Sequence, residues 1–428
     1  MRSIHGRRRG AIGMAAALAL GATFVSACAG SDSGANVTAY EGARVIPGDG
    51  GAVIEDAVFL VENGRFTAVG PRSEVEVPGG ATRVDLTGRT VMPALVNAHI
   101  HLSSEREERI EQLQHMAYYG AGTVASLGLD EGTIGYDMRD ELVPDGARAV
   151  TAGRGITSPE PGRSEVPYWV TTEEEARAAV QELAEQGADL VKIWVDDRNG
   201  QYERLPPELY EPVIDEAHRH DLRVAAHIFR LEDAKGLLRA GLDAFAHGIR
   251  DQDIDDELLA LWTERPNVVL IPNLPGPGVP VDLSWLSGTV PAAELAEMQA
   301  RETDRPAQQE SFGIQARNLD RISEAGLPVA FGTDGSSAWA VHQEMEDMVR
   351  SGMTPAEVIA AASGTSAEFL RMDDVGTLAV GKSADFIVLD ADPLTDITNT
   401  RRIADVYLRG AAIDREGISA RLLGATAQ

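Results

Sequence analysis

Met92-Pro93-Ala94-Leu95-Val96-Asn97-Ala98-His99-Ile100-His101 is an apolar run that ends in two histidines one residue apart. Alternate residues on a strand face the same side, so both imidazoles can point at one ion. A lone histidine near a strand end is more often a hydrogen-bonded core residue. The H-x-H pair instead directs attention to the ends of the other apolar runs.

Those runs fall at 91–99, 122–128, 147–153, 189–195, 223–229, 244–248, 268–273 and 328–333. Helical patterns lie between them, at Thr172–Glu185, Pro207–His220, Glu232–Ala240 and Asp304–Ala325. Thr171 or Thr172 serves as N-cap of the first, with Glu173–Glu175 in its first turn. Alternating strands and helices signal βα units on a parallel sheet. Eight of them fit an α/β fold of the (β/α)8 TIM-barrel type, which needs about 250 residues. The Pro- and Gly-rich stretch 273–290 has no period and reads as a long loop over the barrel mouth.

The two ends of the chain read differently. Residues 37–92 contain short strands broken by Gly, Pro, Asn and Asp, with Asn63-Gly64 as a hairpin signal. Phe386-Ile387-Val388-Leu389 and Val406-Tyr407-Leu408 look similar. The expected division is a β-sandwich from 37–92 plus 375–415, and a barrel over 93–374.

In such a barrel the active site lies at the C-terminal ends of the strands. The fourth run carries Lys192 within Leu190-Val191-Lys192-Ile193-Trp194. The fifth ends in Ala225-Ala226-His227, the sixth in Ala246-His247-Gly248, and the eighth in Thr333-Asp334-Gly335. An Asp before Gly is commonly a turn former, but Asp334 stands at the last strand end. Lys192 carries a separate argument. The chain has three lysines among 38 basic residues, so its surface cations are nearly all Arg. A lysine kept inside an apolar strand suggests chemistry that guanidinium cannot perform. A desolvated amine has a lowered pKa, becomes nucleophilic, and can take up carbon dioxide as a carbamate able to bridge two cations. The competing reading is a lysine that snorkels to solvent.

The run from Met92 to His101 resembles the signature of the amidohydrolase superfamily. Val191-Lys192-Ile193, His227, His247 and Gly332-Thr333-Asp334 are similar to its imidazolonepropionase-like and prolidase-like branch. Thr354-Pro355-Ala356-Glu357, Gly376-Thr377-Leu378 and Gly381–Phe386 resemble the closing segments of that branch. The resemblance spans about residues 40–415. It implies His99, His101 and Asp334 on one metal, His227 and His247 on a second, and carboxylated Lys192 between them. Ser158-Pro159-Glu160-Pro161-Gly162-Arg163 and Ile228-Phe229-Arg230 depart from the branch in substrate-facing loops.

The implied reaction is hydrolysis of a C–N bond in a small molecule with an amide, peptide or lactam group. Asp334 would be the general acid and base. Two divalent ions are expected, zinc suiting the ligands best and manganese or iron less well. Two further readings stay open: a mononuclear deaminase that does not need Lys192, and a surface lipoprotein binding a ligand on a dead barrel. Metal content separates the three.

The formal charge is −29, and removing the four arginines of residues 1–27 takes it to −33. Such a surface repels nucleic acid and anionic lipid. Arg2, Arg7, Arg8 and Arg9, the apolar stretch Ala11–Phe24 and Val25-Ser26-Ala27-Cys28 have the layout of a secretory signal over 1–27 with a lipobox. Residues 28–36 then form a tether, and the chain is exported and anchored to the bacterial membrane by lipid alone. Cys28 is the only cysteine, so an internal disulfide is impossible. Mass spectrometry of the native protein should find Cys28 as a lipidated mature N-terminus. A mature chain that starts elsewhere with a free thiol would refute the anchor.

Overall fold

A computed structural model describes residues 36–424. The signal, the tether to Ala35 and Cys28 lie outside the described residues. Among the described residues, no helix is long and apolar enough to cross a membrane.

Strands from both chain ends join in one eight-stranded sheet. Val37–Val45 pairs antiparallel with Ile54–Glu62, and parallel with Thr82–Asp85 and Thr90–Pro93. Phe386–Leu389 then pairs with Thr90–Pro93 on one side and Ile403–Leu408 on the other. Asn63-Gly64 makes the expected two-residue turn between Ile54–Glu62 and Arg65–Pro71. Both turn residues have positive φ, 51° and 76°, the geometry that matches strand twist. One face of the sheet is closed by aromatic rings. Tyr40 stacks on Phe59 at 4.8 Å, and Phe386 on Tyr407 at 4.4 Å.

The middle of the chain is α/β with parallel strands. Leu95–Ile100, Ala121–Ser126 and Arg148–Thr151 form one sheet. A second sheet runs in the order Tyr168–Trp169, Ile156–Thr157, Val191–Val195, Val224–Ile228, Ala244–Ala246, Val269–Ile271. Both are buried on each face, as parallel strands under helices are. The helices match the expected ones closely: Glu173–Gln186, Pro207–Arg219, Leu231–Ala240 and Pro306–Glu324. Thr172 is the N-cap and forms a capping box with Glu175.

Three expected strands come out differently. The run at 91–99 divides at Ala94: Thr90–Pro93 joins the terminal sheet and Leu95–Ile100 the parallel one. The run at 147–153 stops at Thr151, because Gly153 turns with φ +59°. Gly155 then passes against Trp194, where a Cβ would come within 2.0 Å of the ring. The run at 328–333 is not a regular strand. Pro328 has no N–H to donate, and the segment makes one parallel bridge, Leu270 to Val329. Its backbone still joins both neighbours. Ala330 N donates to Leu270 O, Ala98 N to Phe331 O, and Thr333 N and Asp334 N to His99 O. Phe331 N turns instead to Ser366 Oγ, at 2.9 Å, beside the π-helical turn Ala361–Thr365. The stretch 273–290 is irregular apart from the 3-10 turn Ser284–Gly288.

Candidate active site

The six residues expected to bind metal come from five segments and meet at one place. Asp334 is the hub. Its Oδ1 lies 3.0 Å from His101 Nε2 and 3.1 Å from His99 Nε2, and its Oδ2 lies 3.5 Å from His247 Nε2. The H-x-H spacing works as expected, with ring centroids of His99 and His101 5.3 Å apart. His227 packs edge-on against His247 at 4.5 Å. Lys192 is fully buried, and its Nζ sits 3.3 Å from His99 Nε2. Ligand atoms of His99, His247 and Asp334 lie within 4.8 Å of one another, a spacing one metal ion can span.

Backbone conformation at the site is unusual. Asp334 has φ 54° and His247 φ 131°, both outside the region favoured by residues with a Cβ. Glycines make the room. A Cβ on Gly128 would lie 2.8 Å from Lys192 Cγ, and one on Gly332 2.8 Å from His99 Cβ.

Burial sets the protonation states. It pushes the His99 imidazole down to about 4, with the Lys192 amine adding to the effect. Burial also holds His227 and His247 well below the usual imidazole range. All three are therefore neutral at pH 7, as metal-ligating imidazoles must be. Burial brings Lys192 down to about 7, against the attraction of Asp334 and with Arg250 and Arg198 pushing the same way. Burial pushes Asp334 up, but the His99, His247 and His101 imidazoles around it hold it well below the carboxylate range.

Sequence reading missed the residues that orient these ligands. Asn273 Oδ1 accepts from His99 Nδ1 at 2.9 Å, fixing Nε2 toward the centre. Glu344, buried on the helix Ala340–Arg350, accepts from Leu274 N and holds the Asn273 turn. Asn273 ends the seventh run, so a search of strand ends for amides as well as ligands finds it. His227 Nε2 is surrounded: Asp196 Oδ2 at 2.9 Å, Arg198 Nη1 at 3.0 Å and Arg250 Nη2 at 3.2 Å. Arg198 is in turn held by Glu160 at 2.9 Å. Two further histidines lie elsewhere: His342 is buried against Thr400, and His218 pairs with Asp243.

A parallel α/β core with imidazoles and a carboxylate gathered at its strand ends defines a metal-dependent hydrolase class. The Amidohydrolase family model matches residues 90–413, and the chain belongs to that family. It is thus an enzyme of the kind that hydrolyses carbon–nitrogen bonds. It is 29% identical to the imidazolonepropionase of Deinococcus radiodurans over 389 residues, 84% of this chain and 93% of that one. It is also 29% identical to an uncharacterized protein of Mycobacterium tuberculosis over 344 residues, 75% of this chain and 84% of that one. A solved structure of a proposed prolidase from Bifidobacterium longum superposes with TM-score 0.75 at 28% identity, covering 92% of this chain and all of that one.

The buried imidazoles fix how stability depends on pH. Folded His99 titrates near 4, below its free value of 6.5. The unfolded chain therefore takes up the proton first, so this stability is present above pH 6.5 and is lost as pH falls toward 4. His227 and His247 act in the same direction. Glu344 and Asp347, whose carboxyls burial raises, act in the opposite direction, so the imidazole is read directly. NMR titration of chelator-treated folded protein should find the His99 ring still neutral at pH 5.5. A His99 resonance that titrates at the free value would mean that this imidazole is not held neutral by the fold.

Proposed function

We propose that the chain hydrolyses an amide, peptide or lactam bond of a small molecule at a two-metal centre. The observation that carries this reading is Lys192. Its amine is fully buried, and among the described residues its one hydrogen-bonding partner is the neutral His99 imidazole. An uncompensated buried ammonium is costly. With a value near 7, much of the amine is neutral at physiological pH. Its lone pair can add to the carbon of carbon dioxide, with one Nζ proton released to solvent. The carbamate oxygens then turn a misplaced cation into an anionic ligand.

In this reading His99, His101 and Asp334 would hold one ion, His227 and His247 the other, and carboxylated Lys192 would supply an anionic oxygen ligand to both. The donors fit: three neutral imidazoles, one more histidine and carboxylate-type oxygens suit zinc first, then manganese or iron. Bound there, such ions would polarise the substrate carbonyl and lower the pKa of water. Asp334, kept ionised by its neighbours, accepts the proton of the attacking water on Oδ and hands it to the leaving nitrogen. Asn273 keeps His99 in one tautomer throughout. The same reading takes the parallel strands with 328–333 as a (β/α)8 barrel over 93–374. It takes 37–92 plus 375–415 as a β-sandwich domain, and the whole as an exported protein anchored through Cys28.

One observation favours a second reading. His227 Nε2 faces two guanidinium groups and Asp196, so the second ion competes with cations already in place. A one-ion centre on His99, His101, His247 and Asp334 avoids that competition. It corresponds to the deaminase-type chemistry that has no use for Lys192.

Asp334→Asn should retain the fold and most of the metal yet lose about a hundredfold or more in turnover. Near-normal turnover of that variant removes Asp334 from the mechanism. Lys192→Ala should lose at least one ion, with partial recovery on adding acetate or propionate. Lys192→Arg should fail as badly, because guanidinium stays protonated. An Arg variant with full metal content and full activity ends the carbamate reading, and one ion per wild-type chain favours the second.

A further inference from the structure

Arg250 lies three residues beyond His247, and its side chain folds back across the end of the neighbouring strand. Its Nη2 donates to Ile228 O at 2.8 Å and lies 3.2 Å from His227 Nε2. Its guanidinium carbon sits 5.5 Å over the Phe229 ring. The side chain is half-buried, and burial pushes its pKa below the ordinary value. Yet among the described residues no carboxylate lies within ion-pair distance of it. Arg198, on the other side of the same imidazole, has two, Glu160 and Asp196, each at 2.9 Å.

The donor count sharpens the contrast. A guanidinium has five N–H groups. Arg250 Nε is enclosed and has no partner. Among the described residues Nη1 makes no hydrogen bond, and Ile228 O and His227 Nε2 are the only acceptors of the guanidinium. His227 Nε2 has a single lone pair, which Arg198 also approaches. Once that lone pair ligates metal, as the proposed function requires, Arg250 keeps one acceptor. Buried guanidinium groups are normally paired, and their planar fork matches a carboxylate.

The geometry points to Arg250 as the anchor for a substrate carboxylate, which makes the substrate an anion with that group close to the scissile nitrogen. N-acyl amino acids, dipeptides among them, have this layout. The carboxylate would lie against Arg250 Nη1, beside His227 and within reach of the centre on Asp334. Asp196 and Asp334 are the nearest competing negative charges. Asp196 is taken up by Arg198, and Asp334 by the other imidazoles. This assignment rests on the hydrolytic reading for the position of the reacting bond, but not for the binding of the anion.

The test compares acids with their amides. N-acetyl-alanine, N-acetyl-methionine and N-acetyl-phenylalanine, and the three corresponding carboxamides, are offered to the metal-loaded full chain, to Arg250→Gln and to Arg250→Lys. Hydrolysis is read as kcat/KM, binding by calorimetry, and metal content by elemental analysis. The wild type should favour the acids, and Arg250→Gln should cut that preference roughly 30-fold or more, the usual loss when one partner of an enclosed charge pair is removed. Arg250→Lys should keep part of it, having the charge without the fork. Metal content of the Gln variant should match the wild type, which separates loss of the anchor from damage to the centre. An acid-to-amide preference that is absent in the wild type, or unchanged in Arg250→Gln, overturns the assignment. If no compound is hydrolysed by any form, the hydrolytic reading fails on its own, and the calorimetric preference still decides for or against Arg250.

Discussion

Everything at the centre depends on one carboxylate, Asp334, being shared by the imidazoles of His99, His101 and His247, of which burial holds His99 and His247 neutral. His99 and His101 reach the same oxygen, and His247 lies near the other. The sharing needs the segment carrying Asp334 to sit against the first core strand. Thr333 N and Asp334 N both donate to His99 O, so the residue that supplies an imidazole also supplies the acceptor that docks its partner. Local strain follows directly. Two backbone donors on one carbonyl, with a side chain turned back toward the same residue, put Asp334 at φ 54°. A residue in that conformation persists only where its surroundings over-determine it, and here backbone and side-chain contacts do so together.

The cluster of histidines around Asp334 was legible because strand periodicity is simple. A period of two places His99 and His101 together, and a strand end exposes whatever residue follows the apolar run. Lys192 stood out by scarcity and by its place inside an apolar strand. The hairpin at Asn63-Gly64 was legible because positive φ at two successive positions selects those residues. What escaped was whatever depends on side-chain reach across loops. Arg198 and Arg250 approach His227 from different loops, and no periodic pattern encodes that meeting. The irregular strand at 328–333 escaped for a local reason. Its apolar run looks like its neighbours, but Pro328 cannot donate and Phe331 N is drawn to Ser366, a residue 35 positions away.

The polar residues around the ligands show how the site resists collapse when its donors are unpaired. His99 is held from behind by Asn273, and the turn bearing Asn273 is held by Glu344, whose own carboxyl is raised well above its ordinary value by burial. Each element of this chain is enclosed, so a shift in one is transmitted to the next through packed contacts. Gly332 fits the same logic, since a Cβ there would press on Ile271, Asn273 and His99 at once. The space at the centre is therefore set by glycines and by second-rank hydrogen bonds more than by the ligands themselves.

Charge placement gives the last constraint. The chain is strongly acidic overall, yet beside His227 it gathers Lys192, Arg198 and Arg250 against Asp196 and Glu160. An acidic exterior cannot compensate these cations, because exposed charges are screened over about 10 Å at ordinary ionic strength. Compensation has to come from inside the site. Turning the Lys192 amine into an anion removes one positive charge and adds a negative one, and an anionic ligand at Arg250 adds another. Both changes make room for divalent cations that the bare cluster would repel. The proposed metal centre, the lysine and the arginine would thus be linked by one electrostatic requirement.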